Sequence, residues 1–517
     1  PYTSVGIEAF RTTADTCTNN FATFNPLVGA GIASGDNVPA LSDGNLYYDN
    51  ANQSWTISTH GVSSGKYYAE FMCLKGTISS NVGVCGDNRH GRNNQQYHTA
   101  RGISYIRLAS TSITKDYNDT GVTETAGDAP LSYESGSIVG ITIDCDNREI
   151  KYYKNGTLIR TDSTPASYTP LDSAYYFLAF RTNDGASPLG SNWSDVIANF
   201  GQNPSFSSTT TEGTFTDTNG IGLFKYQPPE GFLSLCQKNL PEPTIKNPGD
   251  YFKVLLYNGD GDARSITGVG FKPDLVWLKG RVGSSLNHIV MDTVRGPMKT
   301  IFPNLTHATY TDRGASSFND DGWSFSNGNG DLNGGGTPHV AWCWKAGGPA
   351  VKNSDGTIET NVSANQTSGF SIATWKGNGN SGQTIGHGLG KRPDFYIWKS
   401  LDNSREWHIS HKGLTGANYT LYFTTAPQVN NNKIVQTADS SVIYPAGSNV
   451  INGLAENYVG YFWTEIEGFS KFGSYTGNGN VDGPFVYCGF KPAFVIRKSA
   501  THTVGWYLTD SARNPYN

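Results

Sequence analysis

Polar and apolar residues alternate along several short stretches in the first half of the chain, which is the pattern of half-buried β-strands. Residues 149–154 alternate in this way for most of their length and run into Asn155-Gly156, a dipeptide that favours the positive φ angles of a tight hairpin turn. Leu158 and Ile159 resume the partner strand. Further strands are predicted at residues 67–71, 82–85 and 138–144.

The second half of the chain repeats one pattern. A Gly-x-Gly turn (259–261, 377–379 and 477–479) leads to a proline-anchored strand, and a lysine follows each proline (Pro273, Pro393 and Pro492) by six residues. An aromatic strand ends 71 residues after the first proline (344 minus 273) and 70 after the second (463 minus 393). The proline period of 120 and then 99 residues is domain-sized, so we expect tandem domains, each closed by its aromatic strand with alternate residues inward.

Composition supports an all-β protein and excludes some functions. Aromatic residues make up 12% and charged residues 16% of the 517 residues, with 61 glycines, a balance that suits short strands joined by tight turns. The net charge of -5 gives no basic surface for nucleic acid, and no apolar stretch is long enough to insert into a membrane. No signal peptide is visible, and without an initial Met we expect residues upstream. Seven scattered cysteines predict reduced, packed thiols and synthesis in a reducing cytoplasm.

The first half resembles the SPRY domain, a two-sheet sandwich of the concanavalin-like kind. The matching segments, in family order, are residues 65–71, 83–84, 140–144, 152–156 and 198–201. The resemblance implies a scaffold that holds partners in its loops and has no catalytic apparatus. The polar loop from Cys85 to Gly102 could form a ligand-binding rim with Arg89, His90, Arg92 and His98, or it could be an ordinary solvated loop.

The repeats resemble the C-terminal β-repeats of large virion proteins in tailed bacteriophages. The segments that carry this resemblance are residues 362–365, 369–372, 386–390 and 467–479. Together with a SPRY-like unit, they imply a fibre, spike or surface protein of the particle. Phage fibres are commonly trimers, so the resemblance also implies a homo-oligomer.

The predicted fold class is all-β, with a SPRY-like or jelly-roll-like sandwich followed by tandem β-sandwich repeats. We expect the third repeat, which stops before any aromatic strand, to be completed by further polypeptide or by another chain, and we favour the former. The predicted segments are an arm (1–20), the SPRY-like domain (21–226), a Pro-rich linker (227–250), and repeats at 251–350, 351–470 and 471–517.

No catalytic, cofactor or metal site is predicted. The calcium-like run 258–262 reads as a polar turn, because the required Gly and Glu positions hold Ala263 and Val269. His408 and His411 should point to opposite faces of a strand, and His387 reads as a turn residue. A carboxylate pair, Glu465 and Glu467, is interpreted as an exposed strand end.

Tryptophans are the remaining candidates for ligand contact. Most of those in the repeats are predicted to be core residues, because Trp342 and Trp344 recur as Tyr461 and Trp463. Trp407 and Trp506 lie in less regular stretches, so they are the candidates for exposed stacking on sugar rings.

Three functions remain open at this stage. The first is a virion adhesion or tail-fibre protein, assembled in the host cytoplasm, which contacts other virion proteins and a host-surface glycan or protein. The second is a capsid decoration or head-fibre protein with the same domains. The third is a tail enzyme that degrades surface polysaccharide, which a conspicuous acidic cleft would support.

Overall fold

A computed structural model of the chain describes residues 15, 19–27, 40–49, 55–74, 80–86, 103–107, 112–116, 122–125, 135–163, 175–182, 195–282, 286–328, 330–431, 437–444, 449–477, 479 and 483–513. Contacts between residues divide the chain into two compact units. Unit 1 comprises Pro1–Glu242 and Tyr475–Gly489, and unit 2 comprises Pro243–Ser474 and Phe490–Asn517. The sequence-based boundaries between individual repeats stay predictions.

Unit 1 is built from short strands, as the alternating pattern predicts. Its described strands are β1 (Ala40–Ser42), β2 (Tyr47–Asp49), β3 (Trp55–Ile57), β4 (Lys66–Cys73), β5 (Ser80–Gly86), β6 (Ile103–Arg107), β7 (Ser112–Asp116), β8 (Val122–Thr125), β9 (Ile138–Asp144), β10 (Glu149–Lys154), β11 (Thr157–Ser163), β12 (Tyr176–Thr182), β13 (Val196–Asn199) and β14 (Leu233–Ser234). One sheet has the order β1-β2-β13-β4-β9-β10-β11, with β14 beside β4, and the other has the order β3-β12-β5-β6-β7-β8.

A hydrophobic core lies between these two sheets. Tyr67, Ala69 and Phe71 of β4 meet Val84 of β5 and Phe180 of β12 in a single buried cluster. The predicted Asn155-Gly156 turn is confirmed, with φ angles of 48° and 80°, and it joins β10 to β11 as an antiparallel pair. The sequence-based expectation of a β-sandwich is therefore confirmed.

The opposite face of β4 is covered as well, so that β4 is buried on both sides. Glu70 is fully buried there. Its Oε1 accepts hydrogen bonds from Tyr226 N at 2.8 Å and the Tyr68 hydroxyl at 3.2 Å. Its Oε2 accepts from Lys225 N at 2.9 Å and Asn199 Nδ2 at 3.2 Å. Burial raises the pKa of Glu70 to about 7, even though these four donors oppose the rise.

The Pro-rich stretch and a distant segment both take part in unit 1. Within the stretch predicted as a linker, β14 pairs in parallel with β4. From residues 475–489, Tyr487 packs its ring 5.0 Å from Phe177 and 5.1 Å from Tyr175. Its hydroxyl donates to the carbonyl oxygen of Gly61 at 3.2 Å. Residues far apart in sequence thus complete this unit.

Unit 2 contains the first two predicted repeats and the third without residues 475–489, which belong to unit 1. Its described elements are β15 (Phe252–Asn258), β16 (Arg264–Thr267), β17 (Leu275–Gly280), β18 (His288–Asp292), β19 (Ser317–Asn319), β20 (Gly322–Phe325), α1 (Gly330–Asn333), β21 (Pro338–Trp344), β22 (Val351–Asn353), β23 (Thr360–Asn365), β24 (Phe370–Lys376), β25 (Ile385–Gly386), β26 (Phe395–Ser400), β27 (His408–His411), β28 (Tyr419–Thr420), β29 (Val429–Asn430), β30 (Thr437–Ala438), β31 (Val442–Tyr444), α2 (Asn449–Asn452), β32 (Asn457–Trp463), β33 (Phe494–Arg497) and β34 (Tyr507–Asp510).

The first two repeats use the same arrangement of four strands. In the first repeat the sheet order is β15-β21-β17-β18, and in the second the strands β24-β32-β26-β27 lie in the same order. The aromatic strands β21 and β32 are therefore central strands rather than closing strands at an edge, which corrects the expectation from sequence. Both of their faces are buried, which explains why they are almost continuously apolar.

Side chains from all three repeats meet in one core. Trp342 of the first repeat and Tyr461 of the second belong to the same buried cluster, against which Phe494 and Leu508 of the third repeat pack. The outer faces of β17 and β26 have separate clusters, around Trp323 and Trp398 respectively. The repeats are thus joined through shared hydrophobic burial.

No disulfide bond joins the cysteines in the described part of the chain. Cys73, Cys85, Cys236 and Cys343 are buried, while Cys145 and Cys488 are partly exposed. Cys17 lies outside the described residues. The prediction of packed, reduced thiols is confirmed for the four buried residues.

Candidate functional site

A surface cleft in unit 2 brings basic and aromatic side chains together. Its volume is about 380 Å³, and the lining residues are Lys279, Gly280, Arg281, His288, Trp342, Trp506, Leu508 and Arg513. The first repeat supplies one wall from the adjoining ends of β17 and β18. The third repeat supplies the other wall from the hairpin of β33 and β34.

Two cations of the first repeat remain available to a ligand. Lys279 Nζ donates to the carbonyl oxygen of Leu286 at 2.6 Å, and burial lowers the pKa of Lys279 against the opposing effect of Asp331. Arg281 is exposed, and its backbone N–H donates to Pro338 O at 2.7 Å. Among the described residues, neither cation forms an ion pair with a carboxylate.

The third cation is held in place. Arg513 Nε donates to Asp510 Oδ2 at 2.6 Å, and its Nη2 donates to Leu508 O at 2.6 Å. The guanidinium lies over the ring of Trp342, 5.2 Å from the ring centroid. Arg513 is therefore a fixed part of the wall whose charge Asp510 largely balances.

One of the two tryptophans is buried beneath the cleft and the other presents ring surface to it. Trp342 is 1% exposed, and its Nε1 donates to Asp510 Oδ2 at 3.1 Å. Trp506 is half-buried, and its Nε1 donates to Tyr422 O at 2.8 Å. Because its indole N–H already has a partner, Trp506 offers apolar contact rather than a hydrogen bond, whereas Trp342 supports the side chains of Arg513 and His288.

His288 is neutral at pH 7. Burial, reinforced by Lys279 and Arg513, lowers its pKa to about 4. Its Nδ1 accepts a hydrogen bond from Trp277 Nε1 at 3.1 Å, so the single ring proton is on Nε2. The imidazole stacks on Trp342 with an interplanar angle of 12°.

The chemistry of the cleft lining indicates which ligands it can attract. Its described lining includes cationic donors and ring faces but no carboxylate. Such a surface attracts ligands that are rich in oxygen acceptors and have an apolar portion.

The predicted ligand residues have different outcomes. Arg89, His90, Arg92 and His98 lie outside the described residues. Trp506 lines the cleft. The expectation that Trp407 is exposed is wrong: it is 1% exposed, because it packs in the shared core and its Nε1 donates to Phe302 O at 2.8 Å.

Sequence reasoning missed most of the cleft. The sequence pattern indicated Lys279 only as the repeated lysine that follows a proline, and it gave no signal for Arg281, His288 or Arg513. Spacing from the repeated proline would not have found His288, because Asn287 lies at the distance at which the other repeats have Trp407 and Trp506. Only the strand register places His288 at that position.

The calcium-like run forms a hydrogen-bonded turn. Asp260 Oδ1 accepts from Asp262 N at 3.1 Å and from Asn333 Nδ2 at 2.6 Å. The same bonds recur in the second repeat around Asn378, without a carboxylate. In the part of the chain that the structure describes, no group of three or more His, Cys, Asp or Glu residues could hold a metal ion.

The other polar candidates also have structural partners. His408 stacks on Trp398 and His411 packs beside Phe395, on opposite faces of β27 as predicted. His387 is fully buried, and its Nδ1 accepts from Leu389 N at 3.2 Å.

Glu465 and Glu467 follow the end of β32. Glu465 pairs with Lys412 at 2.7 Å and with Lys471 at 3.0 Å. Burial raises its pKa, but these two ammonium groups outweigh that effect and the net pKa is lowered. Glu467 is exposed. Glu465 is therefore an ionised, paired carboxylate.

Two family models match separate parts of the chain. Residues 66–177 match the model of the SPRY domain. Residues 247–517, more than half of the chain, match the model described as Domain of unknown function (DUF7483). The chain belongs to the DUF7483 family. The repeats and the cleft of unit 2 lie within the DUF7483 match, and the family description assigns no activity to them.

Solved structures give distant likenesses to this DUF7483 protein. The SPRY domain of human HERC1 is 18% identical, with 34% of this chain and 96% of that chain covered at a TM-score of 0.24. The TRIM65 PSpry domain is 12% identical, with 35% of this chain and 89% of that chain covered at a TM-score of 0.25. No curated protein matches the chain. Among its described helices, none is long and apolar enough to cross a membrane.

Proposed function

We propose that this DUF7483 protein is a non-catalytic structural and adhesion protein on the surface of a tailed bacteriophage particle. It would contact other virion proteins and a host-surface glycan or protein through its loops and act as a homo-oligomer. The phage assignment rests on the motif resemblance of the repeats.

The observation that carries the proposal is the chemistry of the exposed surface in unit 2. The cleft offers the donors of Lys279 and Arg281 beside the ring face of Trp506, which is an arrangement for recognition. In unit 1, the SPRY domain supplies a second all-β scaffold from which loops can project. Two binding scaffolds in one chain favour adhesion or assembly.

Localisation on the particle tests this function. Gold-labelled antibody against the purified chain would be applied to intact phage particles and viewed by electron microscopy. Label at the tail tip or fibres is the expected result. Label over the head would replace tail adhesion with capsid decoration, the alternative that uses the same domains, and particles without label would refute both.

A glycan array would then test the host contact. The full chain is expected to bind at least one bacterial surface glycan without shortening it. Release of free sugar from a bound polysaccharide would overturn the non-catalytic assignment and favour a tail enzyme.

A further inference from the structure

The second repeat is joined to the first by three hydrogen bonds, which we call a joint. The bonds run from Lys399 Nζ to Thr306 O (3.0 Å), from Thr309 N to Leu401 O (2.8 Å) and from Trp407 Nε1 to Phe302 O (2.8 Å). The part of the first repeat that receives them, residues 302–309, is here called a joint segment.

The third repeat is joined to the second by the same three bonds. They run from Lys498 Nζ to Thr425 O (3.4 Å), from Gln428 N to Ala500 O (3.0 Å) and from Trp506 Nε1 to Tyr422 O (2.8 Å). The lysine and the tryptophan each recur after 99 residues (498 minus 399, 506 minus 407). Residues 422–428 are the second joint segment. Two independent copies show that the joint is part of the repeat design.

The first repeat has the same three positions. Lys279 precedes Lys399 by 120 residues, and Arg281 precedes Leu401 by the same number. His288 occupies the place of Trp407. It pairs with Lys279 across β17 and β18. In the second repeat Trp398 pairs with His408 across β26 and β27, so Trp407, the residue before His408, lies opposite Lys399. All three positions of the first repeat line the cleft.

No joint segment of another repeat contacts these positions within the described parts of the chain. Lys279 Nζ donates instead to Leu286 of its own hairpin. By contrast, Lys399 and Trp407 are almost completely buried in their joint. The cleft is therefore the unfilled counterpart of an interface that the molecule forms twice elsewhere.

The chemistry of the cleft suits the same kind of occupant. In the second joint the ring of Phe423 lies 5.1 Å from the ring of Trp506, so a joint brings apolar side chains together as well as backbone groups. Trp506 and Leu508 provide apolar surface in the cleft. His288, with its proton on Nε2, can donate a hydrogen bond where the other repeats use an indole N–H.

We propose that the cleft is a third joint, which docks the joint segment of a further repeat of the DUF7483 kind. Lys279 donates to a carbonyl oxygen of that segment, the Arg281 carbonyl accepts one of its backbone N–H groups, and His288 donates to a second carbonyl. An acidic saccharide is the competing ligand, because Arg281 also carries an exposed guanidinium. All three expected bonds engage backbone groups of the docked segment, as they do in both existing joints.

Peptide binding to the full chain tests the proposal. Fluorescein-labelled peptides of residues 300–311 and 419–430, which contain the two joint segments, would be titrated against the protein and followed by fluorescence anisotropy. Scrambled peptides are the sequence controls. The Lys279→Met variant should weaken binding by about 10-fold or more, because it removes a charged donor. The matched control is Lys272→Met, which changes an exposed lysine of the same repeat and should leave binding unchanged.

A second pair of variants tests His288 independently of Lys279. The change His288→Ala should weaken peptide binding by about 5-fold or more because a donor is lost, whereas His288→Trp restores the residue of the other repeats and should retain binding. Circular dichroism of each variant checks that it is folded.

Three results would overturn the proposal. The first is the absence of peptide binding above that of the scrambled controls at ~1 mM, the range of very weak complexes. The second is equal peptide binding by the wild type and the variants at Lys279 and His288. The third is binding of heparin that requires Lys279 while neither peptide binds, which would assign the cleft to an anionic saccharide.

Discussion

The core of unit 2 contains an ion pair whose removal should be among the most damaging single changes in the protein. Arg295 Nε donates to Asp292 Oδ2 at 2.5 Å, and the exposed fractions of the two side chains are 2% and 0%. Arg295 N donates to Asp292 Oδ1 at 2.8 Å. Tyr461 of the second repeat adds its hydroxyl to Asp292 Oδ2 at 2.7 Å. Asp292 thus accepts three hydrogen bonds away from water.

The third repeat contains the same pair in a more exposed place. Arg513 Nε and N both donate to Asp510, and Trp342 Nε1 takes the role that Tyr461 has in the buried pair. The side chain of Arg513 is 27% exposed, while that of Asp510 is fully buried. The two pairs therefore differ mainly in how far water can reach the guanidinium.

Replacement of each aspartate by alanine measures this difference. Asp292→Ala leaves a buried guanidinium without its counter-ion, which costs about 3 to 5 kcal/mol of unfolding free energy. Asp510→Ala should cost about 1 to 2 kcal/mol, between the values for exposed and buried pairs, because water can solvate the remaining arginine. Each variant serves as the matched control of the other.

Urea denaturation followed by tryptophan fluorescence is a suitable assay, because nine of the eleven tryptophans belong to unit 2. At a slope of about 3 kcal/mol per M, Asp292→Ala should lower the urea midpoint by about 1 to 1.7 M. Equal losses in the two variants, or a greater loss for Asp510→Ala, would show that burial of the arginine does not control the cost.

Three further predictions concern a buried carboxylate, a buried lysine and a turn glycine. Glu70→Gln should destabilise unit 1 by about 2 to 3 kcal/mol, because an amide N–H replaces an acceptor of two hydrogen bonds. The pKa of Glu70 is raised to about 7 in the fold, so the folded state binds a proton more tightly than the unfolded state and the contribution of Glu70 to stability should fall as pH rises from about 4.5 to 7. If the melting temperature of Glu70→Gln depends on pH in this range as strongly as that of the wild type, the raised pKa of Glu70 is contradicted. Lys399→Met removes a buried ammonium that donates to three carbonyl oxygens and should lower the unfolding free energy by about 2 to 4 kcal/mol in urea titrations. The control Lys352→Met breaks an exposed ion pair and should lower it by less than about 1 kcal/mol. Gly156→Ala should lower the melting temperature more than Gly44→Ala, because both glycines have positive φ but only a Cβ at Gly156 would meet a neighbour, an aromatic ring 2.7 Å away. Equal decreases in melting temperature would exclude this clash as the cause.

The strands of the molecule could be predicted from local patterns. The alternation at 149–154 and the Asn155-Gly156 turn specify β10, β11 and their antiparallel pairing, because side-chain direction alternates along a strand and the turn fixes which residues face each other. The repeated prolines likewise located β17, β26 and β33. In each case the information lies within a few residues of the element.

The role of the aromatic strands required the tertiary structure. Their apolar sequence predicted burial, but it could not distinguish a strand at the edge of a sheet from one at its centre. That distinction depends on β15 and β24, which precede the central strands by many residues and pair with them from the other side.

The cleft shows most clearly that local sequence does not determine which side chains are exposed. The sequence by itself determined that a lysine recurs after each proline and that Trp407 and Trp506 occupy matching positions. Only the tertiary structure decided that Trp407 is buried and that Trp506 lines a cleft. Both indoles contact a joint segment, but Trp506 also borders Lys279, Arg281 and His288 of the first repeat, which no joint segment covers among the described residues. Local sequence specifies strands through short-range sterics and side-chain alternation, whereas burial at a joint is set by contacts between residues about a hundred positions apart.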